Sequence, residues 1–210
     1  MIKCFAIFLS LVVLVLCIEE DYTVETYPNP KRGGWKDCGL KSAGNVCDPY
    51  ETLSQSERYR INTALVNFVS QTSEHGNDFC SNKGTDAMFV IINKGSQQFT
   101  DELRQHWNNI DTQCGRFGLL ALSVEDRRIY GSFDERSPIK TAQLQAIIAT
   151  AETYIQTGSY TTAVTNILRE VAASMVPQAE NTSKKPETTT KSANTFSLIA
   201  IFAAMVALLF

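Results

Sequence analysis

Two short apolar runs, the continuous Met88 to Ile92 and the longer Phe117 to Val124, constrain this chain more than anything else in its sequence. Turn residues bound them: Gly84-Thr85-Asp86 and Asn93-Lys94-Gly95 flank the first, and Glu125-Asp126-Arg127 follows the second. A segment this short that is apolar at every position needs cover on both faces, which is the signature of a strand in the interior of a sheet. Met88 to Ile92 is therefore expected as a central strand. The second run leads through its polar turn into Arg128 to Phe133, which predicts strand, tight turn, strand.

Helical signals alternate with these strands. Ser54-Gln55-Ser56-Glu57 is a capping box, and Ile61, Leu65, Phe68 and Val69 recur at helical spacing behind it, predicting a helix over Gln55 to Ser70. A weaker helix is expected over Thr100 to Trp107. Ser137 offers an N-cap with Pro138 at the first helical position of a helix ending at Gly158. A last helix carries Val164, Ile167, Leu168, Val171 and Met175 and stops before Pro177. Strands and helices in this order predict an α/β fold: a small mixed sheet layered with helices. Roughly 160 residues suffice for one such core.

The ends of the chain read differently. Met1 to Cys17 has one positive charge at Lys3, an apolar run, and then Glu19-Glu20-Asp21, the pattern of a secretory signal over residues 1–18 cleaved near Cys17 to Glu19. The folded domain is then residues 19–176. Residues 177–194 are rich in Thr, Ser, Lys and Pro and nearly devoid of apolar residues, so they read as a solvated stalk. Residues 195–210 are almost wholly apolar, yet as a helix the run Phe196 to Phe210 would span roughly 22 Å against a hydrocarbon core of about 30 Å. It reads as the tail of a glycosylphosphatidylinositol (GPI) signal or as a single-pass anchor. Asn181 fits the GPI spacing and also heads an Asn-Thr-Ser glycosylation sequon; Ser192 is the alternative attachment residue.

Outside the signal the cysteines are Cys38, Cys47, Cys80 and Cys114, an even number that in a secreted domain implies two disulfides. Metal binding is the competing use, but there is no Cys-x-x-Cys and neither His75 nor His106 is spaced as a zinc ligand. Four cysteines allow three pairings. Cys38 and Cys47 flank one short segment, whereas Cys80 and Cys114 each precede an apolar strand and so share one end of a parallel sheet. The expected pairing is Cys38 with Cys47 and Cys80 with Cys114.

Composition and motifs remove several function classes. Nineteen Lys+Arg against 22 Asp+Glu, a net charge of -3, leave no excess of cations for nucleic acid. Lys31-Arg32-Gly33-Gly34 lacks the spacing of a phosphate-cradling loop. Neither histidine lies beside a candidate nucleophile, so no catalytic residue and no cofactor are expected. Glu125 and Asp126 are next to Arg127 and Arg128, which oppose a divalent cation there. The scattered acids Asp48, Asp78, Asp86, Asp101 and Asp111 read as caps and loop surface, and no metal site is expected.

Tyr27-Pro28-Asn29-Pro30, Cys38-Gly39, Val46-Cys47-Asp48-Pro49, Leu53-Ser54, Glu57-Arg58, Cys114, Phe117-Gly118-Leu119-Leu120 and Val124-Glu125-Asp126-Arg127-Arg128-Ile129-Tyr130 occur here in that order. Together they resemble the nematode modulator-of-levamisole-receptor family, a branch of the TPM-domain superfamily, over about Tyr27 to Met175. The resemblance implies a single extracellular TPM-like domain tethered to the cell membrane. It also implies a partner, the levamisole-sensitive, pentameric acetylcholine-gated channel, whose response such a protein increases. The wider superfamily includes acid phosphatases with an acidic-Asn-Gly step that serves metal binding. Here that step reads Arg116-Phe117-Gly118, which removes oxygen ligands, so the fold is carried over and the phosphatase activity is not. A surface adhesion or ligand-binding module is the remaining alternative.

Overall fold

The computed structural model describes residues 2–6, 15–19, 21–74 and 76–176. The chain divides into two units, Met1–Gln178 and Ala179–Phe210, and every described residue belongs to the first. Asn181, Ser192, the stalk, the apolar tail and His75 lie outside the described residues. Near the N-terminus, β1 (Ile2–Ala6) and β2 (Val15–Glu19) pair antiparallel.

The sheet of the domain has four strands in the order β3 (Val46–Cys47), β4 (Asp86–Ile92), β5 (Phe117–Ser123), β6 (Arg128–Phe133). The first three are parallel and β6 returns antiparallel to β5, so the sheet is mixed as the sequence implies. β4 and β5 occupy its centre, and from Ala87 to Ser123 their residues are all buried. Alternate residues serve opposite faces: Phe89, Ile91, Leu120 and Leu122 join one core, while Met88, Val90, Leu119 and Ala121 join the other.

On the first face lie α1 (Gln55–Gln71), α4 (Thr141–Thr150), α5 (Glu152–Gln156) and α6 (Tyr160–Met175). The Ser54 capping box forms at the head of α1: its Oγ accepts from the Glu57 N–H, and Glu57 accepts from the Ser54 N–H at 2.9 Å. The second face is covered by α3 (Gln97–His106) and by the segment 22–40, which is neither helix nor strand and packs Tyr27, Cys38 and Leu40 onto the sheet. The short α2 (Phe79–Lys83) precedes β4 through Gly84, which adopts φ +75° and whose added Cβ would lie 2.0 Å from Val69 O. Only glycine fits that turn.

The structure departs from the sequence reading in three places. α3 begins at Gln97, because Ser96 rather than a later residue caps it, its Oγ accepting from the Phe99 N–H at 3.1 Å. Ser137 is not a cap: it is buried, and α4 starts behind Lys140. The helix expected to run on to Gly158 is broken at Ala151, where α5 starts. The two-residue β3 is too short for any periodicity to show.

Disulfides join Cys38 to Cys47 and Cys80 to Cys114. The first ties the covering segment to β3. The second ties α2 to the loop ahead of β5.

Candidate functional site

The strands β4 and β5 begin, and β6 ends, at one rim of the sheet, and charged side chains from several segments meet there. Asp111 follows a single 3₁₀ turn (Asn108–Ile110) after α3 and is 3% exposed. Its Oδ1 accepts from Lys83 Nζ at 2.5 Å and from the Cys114 N–H at 3.2 Å, and its Oδ2 accepts from the Arg116 N–H at 2.9 Å. Burial pushes this carboxyl up, but the Lys83 ammonium and the two N–H groups outweigh it and hold its pKa below the ordinary value. Asp111 thus closes the loop that carries Cys114.

Asp134, next after β6, pairs with Arg104 of α3 and accepts the Phe117 N–H at 3.1 Å; Arg104 Nε also donates to Ser132 Oγ at 2.8 Å. Burial raises the Asp134 carboxyl above its ordinary pKa, against the pull of Arg104. Arg116 Nη1 donates to Cys80 O at 3.0 Å and reaches Glu74 Oε1 at 3.4 Å. Lys31 pairs with Asp86 at 2.5 Å. Between Asp111, Asp134 and Arg136 opens a cleft of about 520 Å³.

A hydrolytic metal centre needs carboxylate oxygens free to ligate a cation. At this rim Asp111 and Asp134 are already bonded to cations and backbone N–H groups, Asp86 and Glu74 each face a cation, and Arg116 adds a positive charge beside the loop that Asp111 closes. These residues do not fit a divalent cation. Among the described residues, no group of three or more His, Cys, Asp or Glu side chains is placed to hold a metal. The rim is a recess in which acidic and basic side chains pair with one another.

The structure places the other singled-out residues apart from it. Asp78 does cap α2, its Oδ1 accepting the Ser81 N–H at 3.0 Å. Asp48 and Asp111, read as caps or loop surface, are instead buried, because each neutralises a cation from a distant segment, Arg58 and Lys83. Asp126 accepts from Ser123 Oγ at 2.8 Å within the β5–β6 hairpin. His106 ends α3 on the surface. The sequence reading missed Arg104, Asp134 and Lys83; Lys83 and Asp134 lie close to strand ends, whereas Arg104 lies within α3 with no local signal.

Fold and site together define a class: a disulfide-bonded, layered α/β domain with a four-stranded mixed sheet. Its backbone is similar to the N-terminal domain of a Porphyromonas gingivalis protein solved by NMR, with a TM-score of 0.55 and 17% identity, covering 74% of this chain and 92% of that one. A protein from the psychrophilic bacterium Bizionia argentinensis is similar at a TM-score of 0.49 and 12% identity over 61% of this chain and 84% of that one. No curated protein matches the sequence. Residues 22–127 match the family described as modulator of levamisole receptor-1, and the chain belongs to that family. The matched region spans the covering segment, both disulfides, β3 to β5 and the hairpin turn.

Proposed function

We propose that this protein is an extracellular, membrane-anchored accessory protein, not an enzyme, that binds levamisole-sensitive acetylcholine-gated channels and increases their response. The observation that carries the reading is the family match over residues 22–127, which includes the whole disulfide-bonded half of the domain. Two disulfides suit an oxidising compartment. The rim, with Asp111 and Asp134 neutralised, supports recognition over hydrolysis. Residues 1–18 act as the secretory signal, and residues 195–210 attach the protein to the membrane through a GPI lipid on Asn181 or Ser192 or as a single span.

Such a modulator works by binding the open channel more tightly than the closed one. A difference of about 1.4 kcal/mol shifts gating tenfold, and tethering raises the local concentration. The test is agonist-evoked current in oocytes expressing the channel with and without this protein, with surface channels counted in parallel. Larger current at constant channel number is expected. Unchanged current, with both proteins at the surface, overturns the proposal. Release of the protein from intact cells by a phosphatidylinositol-specific phospholipase identifies the lipid anchor; retention identifies the span.

A further inference from the structure

The two edges of the sheet are unlike. β3 ends one side after two residues, whereas β6 leaves a six-residue edge on the other. Asp134 N–H bonds Phe117 O, so the even-numbered residues of β6 face β5 and Ile129, Gly131 and Phe133 turn their backbone groups outward. α3 packs on one face of the sheet and α4 on the other. Beside β6 a slot of about 530 Å³ is lined by Gln97, Asp101 and Arg104 of α3 and by Leu144 and Gln145 of α4 with Ile139 from the turn ahead of it. It is the plane of the sheet continued past β6, where a fifth strand would lie about 4.8 Å away.

A side-chain amide stands in that plane. Gln97 Nε2 donates to Gly131 O at 3.0 Å and to Asp101 Oδ1 at 3.1 Å, while Gln97 Oε1 accepts from Gln145 Nε2 at 3.2 Å. Gln97 thus offers Gly131 the bond that the peptide group of a next strand would offer. The walls differ in character. The α4 side presents Ile139 and Leu144, the α3 side presents Asp101, and Glu135 lines the slot where the chain leaves β6. Neither acid has a cationic partner among the described residues, whereas Arg104 is neutralised by Asp134.

We propose that this slot binds an extended segment of a partner protein, added as a strand to β6, in which apolar residues alternate with basic ones. The apolar side chains face Ile139 and Leu144, and the basic ones face Asp101 and Glu135. Gln97 is the placeholder that the incoming backbone displaces. The proposal stands apart from the channel assignment, which can fail in oocytes while strand addition holds.

The test uses the purified full chain in detergent and a fluorescent heptapeptide of alternating valine and lysine, followed by anisotropy. Saturable binding is expected, with slowed hydrogen exchange at Ile129, Gly131 and Phe133. A heptapeptide of valine and glutamate, and the lysine peptide N-methylated along its bonding edge, are expected not to bind. Gln97→Ala is expected to tighten binding about threefold to tenfold, and Asp101→Asn with Glu135→Gln to weaken it about tenfold. No saturable binding, equal binding of the N-methylated peptide, or exchange protection away from β6 overturns the proposal. So does dimerisation of Gln97→Ala in sedimentation without peptide binding, which would assign the edge to a second copy of this chain.

Discussion

Replacing Asp48 by alanine tests the energetics of the domain at its most exacting point. Asp48 is fully buried behind β3. Its Oδ1 accepts from the Thr52 N–H at 2.9 Å, and its Oδ2 accepts from the Leu53 N–H at 2.8 Å and from Arg58 Nη1 at 3.1 Å. Arg58 is 7% exposed, keeps one further bond to Leu53 O at 2.6 Å, and has its guanidinium against Gly39, where an added Cβ would lie 3.0 Å from Arg58 Cζ. Removing the carboxylate leaves a buried cation without its counter-charge, which costs about 3–5 kcal/mol. At roughly 2–4 °C per kcal/mol for a domain of this size, Asp48→Ala is expected to melt roughly 6–20 °C lower by circular dichroism with both disulfides intact. Combining Asp48→Leu with Arg58→Met removes both charges and should recover roughly half of that loss, because the neutral Thr52 and Leu53 N–H groups and the Leu53 carbonyl lose a partner but no buried charge is left uncompensated. A melting point for Asp48→Ala within about 3 °C of the parent, or a double variant as unstable as the sum of its singles, would refute the reasoning.

Three more outcomes follow from contacts described above. The Tyr27 hydroxyl donates to Ile91 O at 2.5 Å and accepts the Ile91 N–H at 3.2 Å, standing in for β3 beyond its last residue; Tyr27→Phe should cost about 1–3 kcal/mol in urea unfolding. Loop-closure entropy assigns roughly 4 kcal/mol to Cys80–Cys114, separated by 34 residues, and roughly 2.5 kcal/mol to Cys38–Cys47, separated by 9, so paired alanine replacements should rank in that order. Because the Asp111 pKa is lowered on folding, its stabilisation is present above the unfolded value of about 3.9 and lost as pH falls through the folded one. Asp111→Asn should therefore flatten the acid limb of the stability profile, read from urea midpoints between pH 2 and 5.

How far the sequence foretold this depends on distance along the chain. β4 and β5 were legible because every residue from Ala87 to Leu122 within them is buried, and α1 because its cap is local. The covering segment was not, since its hold on the sheet comes from Tyr27 bonding Ile91, 64 residues away, and such a bond leaves no periodicity. The rim was hidden for the same reason: Lys83 meets Asp111 across 28 residues and Arg104 meets Asp134 across 30. Ser137 misled because a Ser-Pro pair is a strong helix-start signal, yet here it is turned inward and α4 begins at Thr141.

The Cys80–Cys114 bond has a consequence for how the chain reaches this state. Both cysteines lie just upstream of the strands that pair first as Asp86 with Phe117, and their Cα atoms end 5.4 Å apart. A slip that kept the apolar faces inward would move β5 past β4 by two residues, about 6.6 Å. Taken at right angles to the present 5.4 Å separation, that displacement carries the two Cα atoms to about 8.5 Å, beyond the roughly 7 Å that a disulfide spans. Oxidation at this position therefore proofreads the central pairing: a chain assembled one step out of line keeps two free thiols, and only the aligned one is sealed.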